Sequence, residues 1–113
     1  MGTFQKLSSN EKAIQLQNWF INQDYTLSIA ESCTGGQISS AITSQAGSSK
    51  YFLGSVISYH KSLKINVLKV PDSTILNVGE VSLQVAVSMA RGVRALTKST
   101  WAVAVTGIAG PGG

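Results

Sequence analysis

The stretch Tyr25-Thr26-Leu27-Ser28-Ile29-Ala30-Glu31-Ser32-Cys33-Thr34-Gly35-Gly36 joins two kinds of signal without a break. Tyr25 to Ala30 alternates and is rich in β-prone residues, which predicts a strand. Glu31 to Gly36 reads as a glycine-containing turn, and beyond it Ile38, Ala41 and Ile42 recur at helical spacing. A strand, a tight turn and a helix in that order bring the unpaired N–H groups of a helix start to the end of a strand.

Elements follow on both sides. Upstream, Ser8 and Glu11 have the spacing of a capping box, and Ala13, Leu16 and Phe20 share one helical face, with Ile14 and Ile21 beside it. This predicts a helix over 9–22, ended by Asn22-Gln23-Asp24. Downstream, Gly47-Ser48-Ser49 is a turn, and Tyr51 to Tyr59 predicts a second strand, bent at Gly54. Residues 61–68 predict a short helix, and Pro71-Asp72-Ser73 a loop. Val81, Val85, Met89, Val93 and Leu96 form the clearest helical stripe, over 81–97. Trp101 to Val105 predicts a buried strand that runs into a second glycine-rich loop, Thr106 to Gly113.

Strands separated by helices predict an α/β domain with a sheet covered on both faces. Ligands in such sheets bind outside the carboxyl ends of the strands. Both glycine-rich loops follow strand ends, so one crevice between them is expected. With no internal repeat, low-complexity tract or linker, residues 1–113 are expected to form a single domain.

Composition narrows the partners. Of 113 residues only 12% are charged while 43% are hydrophobic, so part of the surface is expected to meet another subunit. A homo-oligomer is therefore expected. The nine basic and five acidic residues give a net charge of +4, but no dense basic run, so no nucleic-acid partner is expected. The mild positive field suits an anionic small molecule. One cysteine, Cys33, excludes an internal disulfide. No signal peptide is read at the N-terminus, and no run of about 18 apolar residues predicts a membrane span. The expected location is cytoplasmic.

Several chemistries compete at the turn. Ser32 as a nucleophile needs a base and donors for the developing oxyanion, which backbone N–H groups of Cys33 to Gly36 can supply. Ser32 or Thr34 as a plain helix cap is the alternative. Glu31 suits either the helix dipole or a ligand hydroxyl. Cys33 is a second possible nucleophile or an inert small apolar residue. His60, the only histidine, has no spacing that ties it to Ser32. Lys61 and Lys64 offer a base, because Ser–Lys catalysis is an alternative to a histidine triad and burial can neutralise a lysine. No metal-ligand spacing is present, and neither glycine-rich loop has a phosphate-loop or dinucleotide fingerprint.

Taken in order, the segments resemble a known family. Ser28 to Gly36, Gly47-Ser48-Ser49, Tyr51-Phe52-Leu53-Gly54, Tyr59 with Lys64, Gly79-Glu80-Val81-Ser82 with Ala86, Met89-Ala90 and Gly92, and Thr106 to Gly113 together resemble the CinA C-terminal domain, the nicotinamide-nucleotide amidase family. The resemblance implies a three-layer α/β/α sandwich. It also implies hydrolysis of the carboxamide of nicotinamide mononucleotide to nicotinic acid mononucleotide and ammonia, with no metal or organic cofactor. Carried over by position, the nucleophile falls on Ser32, and proton transfer and serine activation on Tyr59 and Lys64. Thr34, Gly35 and Gly36 fall at an oxyanion or phosphate site with Glu31 beside them, and Thr106 and Gly107 line the nucleotide pocket. His60-Lys61 departs from the family's residues after the tyrosine. Family members also continue past Gly-Pro-Gly-Gly, so the fold is expected to lack its last elements, and an inactive nucleotide-binding or interaction module is the alternative function.

Overall fold

A strand buried along its whole length organises the molecule. In the computed structural model, which describes residues 8–107, β1 (Leu27–Glu31) has no exposed residue. It lies between β2 (Phe52–Ile57) and β3 (Trp101–Val105), parallel to both, in the order β2-β1-β3. Glu31 sits level with Ile57 and Val105, so the three carboxyl ends share one rim. A bulge inserts Leu53 into β2, where Leu27 pairs with Phe52 and Ser28 with Gly54. Gly54, at φ 144°, takes the bend.

Parallel neighbours require crossover connections. β1 reaches β2 through α2 (Gln37–Thr43). β2 passes back across β1 to β3 through α3 (Lys61–Asn66), α4 (Asp72–Val78) and α5 (Leu83–Thr97). The two crossovers run in opposite directions across the sheet, so right-handed connection places their helices on opposite faces. One core joins Leu27 and Ile29 of β1 to Phe20 of α1 (Ser9–Gln23), Ile42 of α2 and Tyr51. The other joins Ala30 to Leu68, Val70, Ile75, Val85, Met89 and Val93. The result is the three-layer α/β/α arrangement.

Four local expectations change. Pro71 does not begin a plain loop: it caps α4, because a proline has no N–H to leave unpaired at a helix start. The face of α1 is thinner than its pattern, for only Phe20 is buried while Ile14, Leu16 and Ile21 are exposed. The α5 stripe is fully buried at Val85, Met89 and Val93 but exposed at its ends, Val81 and Leu96. β3 is an edge strand rather than a buried one, with Trp101 49% exposed and Val103 exposed on the same face. Gly92 lets α5 lie against the chain at Leu68, since a Cβ there would stand 1.9 Å from the Leu68 carbonyl oxygen.

Candidate active site

Side chains of a strand point alternately to its two faces. At the rim of β1 this sends Glu31 toward α2 and the next residue, Ser32, toward α3. The two neighbours therefore have separate surroundings and separate tasks.

Glu31 is fully buried and caps α2. One carboxylate oxygen accepts the Thr34 hydroxyl at 2.7 Å and the Ile38 N–H at 3.0 Å. The other accepts the Ser39 N–H at 2.9 Å and the Ser39 hydroxyl. Gly36, the residue at the cap position, has no side chain to do this. Burial pushes the carboxyl up, but the hydrogen bonds from Ser39, Thr34 and Ile38 outweigh it and hold the group below its ordinary 4.5. The expectation that Glu31 meets a ligand gives way here, because both oxygens are enclosed and occupied. The same geometry removes Ser32 and Thr34 as the helix cap. Gly35 and Gly36 have φ of 61° and 106°, left-handed values that favour glycine and close the turn between Glu31 and the helix it caps.

Ser32 faces the other layer. Its Oγ accepts a hydrogen bond from Lys64 Nζ at 3.1 Å. Lys64 is on the last turn of α3 and is 2% exposed; Ser32 is 3% exposed. The same Nζ lies 3.1 Å from Glu80 Oε1, in the link between α4 and α5, and the Glu80 side chain is 41% exposed. The Glu80 carbonyl in turn accepts the Thr106 hydroxyl at 3.2 Å, which ties this link to the end of β3. Cys33 also reaches across: a Cβ on Gly107 would sit 3.2 Å from its Sγ. Cys33, Glu80, Thr106 and Gly107, which these contacts link to the enclosed Ser32–Lys64 pair, are all partly exposed.

The structure separates residues that the sequence left together. Lys64 meets Ser32, whereas Lys61 is exposed on the first turn of α3. Tyr59 is 61% exposed and makes no side-chain hydrogen bond to Ser32 or Lys64 among the described residues. His60 is the cap of α3, its ring nitrogen 3.1 Å from the Ser62 N–H, so it serves the helix that carries Lys64. In the turn, the Gly35 N–H bonds inward to the Ser32 carbonyl at 3.1 Å. The N–H groups of Cys33, Thr34 and Gly36 take no protein acceptor among the described residues. Of the second glycine-rich loop, 108–113 lie outside the described residues. Glu80 is the group that reading the sequence for chemistry passed over. Its signals were its place among only five acidic residues and its position in the Gly79-Glu80-Val81-Ser82 segment that carries part of the resemblance.

Comparison with known proteins gives this geometry its context. The family model described as the CinA C-terminal domain matches residues 9–113. The chain belongs to the CinA C-terminal domain family. A CinA-like protein from Cyanothece sp. is 53% identical over 88 residues, which are 78% of this chain and 21% of that protein. A putative competence-damage inducible protein from Desulforudis audaxviator is 47% identical over 93 residues. Among solved structures, the competence/damage inducible protein CihA from Agrobacterium tumefaciens is 40% identical with a TM-score of 0.89, covering 100% of this chain and 68% of that one. A CinA superfamily protein from Enterobacter cloacae is 26% identical with a TM-score of 0.92, covering 100% of this chain and 67% of that one. This CinA-family chain thus spans about a fifth of the first curated relative's length. No helix among the described residues is long and apolar enough to cross a membrane.

Proposed function

We propose that this chain hydrolyses the carboxamide of nicotinamide mononucleotide, with Ser32 as the nucleophile. The observation that carries the reading is the hydrogen bond between Lys64 Nζ and Ser32 Oγ, 3.1 Å long and almost closed to water. A serine needs a base in contact, and a lysine can be that base when neutral. In this reading the Ser32 oxygen attacks the carboxamide carbon while its proton passes to Lys64. The oxyanion is met by the N–H groups of Cys33, Thr34 and Gly36, which have no protein acceptor among the described residues. Lys64 then returns the proton to the departing nitrogen, ammonia leaves, and water hydrolyses the ester. Tyr59, exposed at the end of β2, acts from the rim on the substrate or its proton. Thr106 and Gly107, at the end of β3, stand beside the nucleotide. The net charge of +4 favours a phosphate-bearing substrate in the cytoplasm, and the exposed apolar face of β3 with Trp19 of α1 favours a homo-oligomer.

The test is ammonia release from nicotinamide mononucleotide. Wild-type protein is expected to release it, and Ser32→Ala to lose at least about a thousand-fold in kcat/KM, the scale of a missing nucleophile. Full activity in Ser32→Ala would remove the serine. The enclosure of Ser32, at 3% exposure, is what favours a second reading, a nucleotide-binding module without turnover. Nucleotide binding with no ammonia released would establish that one.

A further inference from the structure

Lys64 has two hydrogen-bond acceptors among the described residues, and only one of them belongs to the nucleophile. Its Nζ stands 3.1 Å from Ser32 Oγ and 3.1 Å from Glu80 Oε1. The lysine is 2% exposed, so it has almost no water to which it can release a proton. The Glu80 side chain is 41% exposed, so its carboxylate meets both the buried amine and solvent. Its position is held from two sides: Gly79, at φ 82°, turns the chain out of α4, and the Thr106 hydroxyl bonds the Glu80 carbonyl at 3.2 Å.

We infer that Glu80 is a positioning residue that also relays protons for the Ser32–Lys64 pair, joining the enclosed lysine to water. The inference rests on the reading of Ser32 as a nucleophile. A lysine must be neutral before it can take a hydroxyl proton. In the resting pair Lys64 is an ammonium and Glu80 a carboxylate. One proton moves from Nζ to Glu80, leaving a neutral amine beside a neutral carboxylic acid. The Ser32 O–H proton then passes to the amine as the bond from Oγ to the carbonyl carbon forms. Lys64, again an ammonium, gives a proton to the nitrogen as the carbon–nitrogen bond breaks, and ammonia departs. In the second half, water adds to the ester carbon and its proton goes to the amine. That proton passes to Oγ as the ester bond opens. The product acid gives its remaining proton to Lys64 and leaves as the carboxylate, and the Glu80 proton leaves to solvent, which restores the ammonium–carboxylate pair. A plain ion pair that only holds Lys64 in place would need no group capable of accepting a proton.

Glu80→Gln separates the two roles, because glutamine keeps the length and an acceptor oxygen but takes no proton. Two readouts are needed. The first is the rate at which a fluorophosphonate probe labels Ser32, which does not depend on the natural substrate. The second is ammonia release from nicotinamide mononucleotide. The relay predicts that Glu80→Gln lowers both labelling rate and kcat by about a hundred-fold, the lower scale for a lost proton-transfer group, while KM changes less than about threefold. It also predicts that formate restores part of the labelling rate in Glu80→Ala and none in wild type. Thermal melting checks that each variant is folded; should Glu80→Gln not fold, the formate effect in Glu80→Ala decides. Labelling within about threefold of wild type in Glu80→Gln, or no formate effect in Glu80→Ala, overturns the relay. Normal probe labelling without ammonia release would overturn only the substrate named above. A wild-type Ser32 that takes no probe overturns both readings.

Discussion

Replacing Glu31 by glutamine removes one charge and almost no volume, and its cost follows from four hydrogen bonds. One carboxylate oxygen receives the Thr34 hydroxyl and the Ile38 N–H, and the other receives the Ser39 hydroxyl and N–H. Glutamine offers one oxygen and one amide nitrogen. Whichever way the amide turns, its NH2 faces a hydroxyl and a backbone N–H. The hydroxyl can rotate to accept, but the N–H of Ile38 or Ser39 cannot. A buried donor left unpaired costs about 1–3 kcal/mol. Losing the negative charge at the start of α2 adds about 0.3–1 kcal/mol. The expected loss is about 1.3–4 kcal/mol, which for a domain of this size lowers the melting midpoint by about 5–25 °C. The wild-type contribution has a definite pH sense. The folded carboxyl lies below its ordinary 4.5, so the stabilisation is complete above that value and is lost as pH falls through the folded value. Denaturant unfolding of both proteins between pH 3 and pH 7 is the assay. The stability difference should be full at pH 7 and shrink as the wild type loses its charge in acid. A Glu31→Gln protein within about 0.5 kcal/mol of wild type at pH 7 would refute the capping argument.

Two further outcomes follow from close contacts. Gly92→Ala would drive a Cβ to 1.9 Å from the Leu68 carbonyl oxygen, which is backbone and cannot rotate away. It should destabilise the protein by about 3 kcal/mol or more, read as a lower urea midpoint. Cys33→Ala should leave ammonia release within about threefold of wild type, because the thiol packs toward Gly107 and lies outside the pair that activates Ser32. Loss of activity on the scale of Ser32→Ala would transfer the nucleophile to Cys33.

The strand–turn–helix at 25–42 was legible because its signals are local: β-prone residues, two glycines at positive φ, then apolar residues at helical spacing. The capping box at Ser8 and Glu11 was legible for the same reason, and both of its hydrogen bonds are present. The central place of β1 in the sheet was not legible, because it depends on β2 and β3 pairing to either side of it. Nor was the exposure of Trp101 and Val103, since an apolar strand reads alike at the centre and the edge of a sheet. At the site, Ser32, Lys61 and Lys64 were all candidates by type. Only the placement of α3 brings Lys64 to the serine and leaves Lys61 in solvent. Glu31 was ambiguous because its partners, Ile38 and Ser39, lie beyond the turn that it closes. The role of Glu80 escaped notice because it meets Lys64 across 15 residues of intervening chain, and no local pattern encodes that meeting.

The most direct measurement is the location of the acyl group during turnover. Wild-type protein is mixed with nicotinamide mononucleotide, quenched in acid within the first turnovers, digested, and its peptides fragmented in a mass spectrometer. The account predicts a nicotinate-mononucleotide ester on Ser32 that is absent from the Lys64→Met variant. An adduct on Cys33, or ammonia released at full rate with Ser32 unmodified throughout, would contradict it.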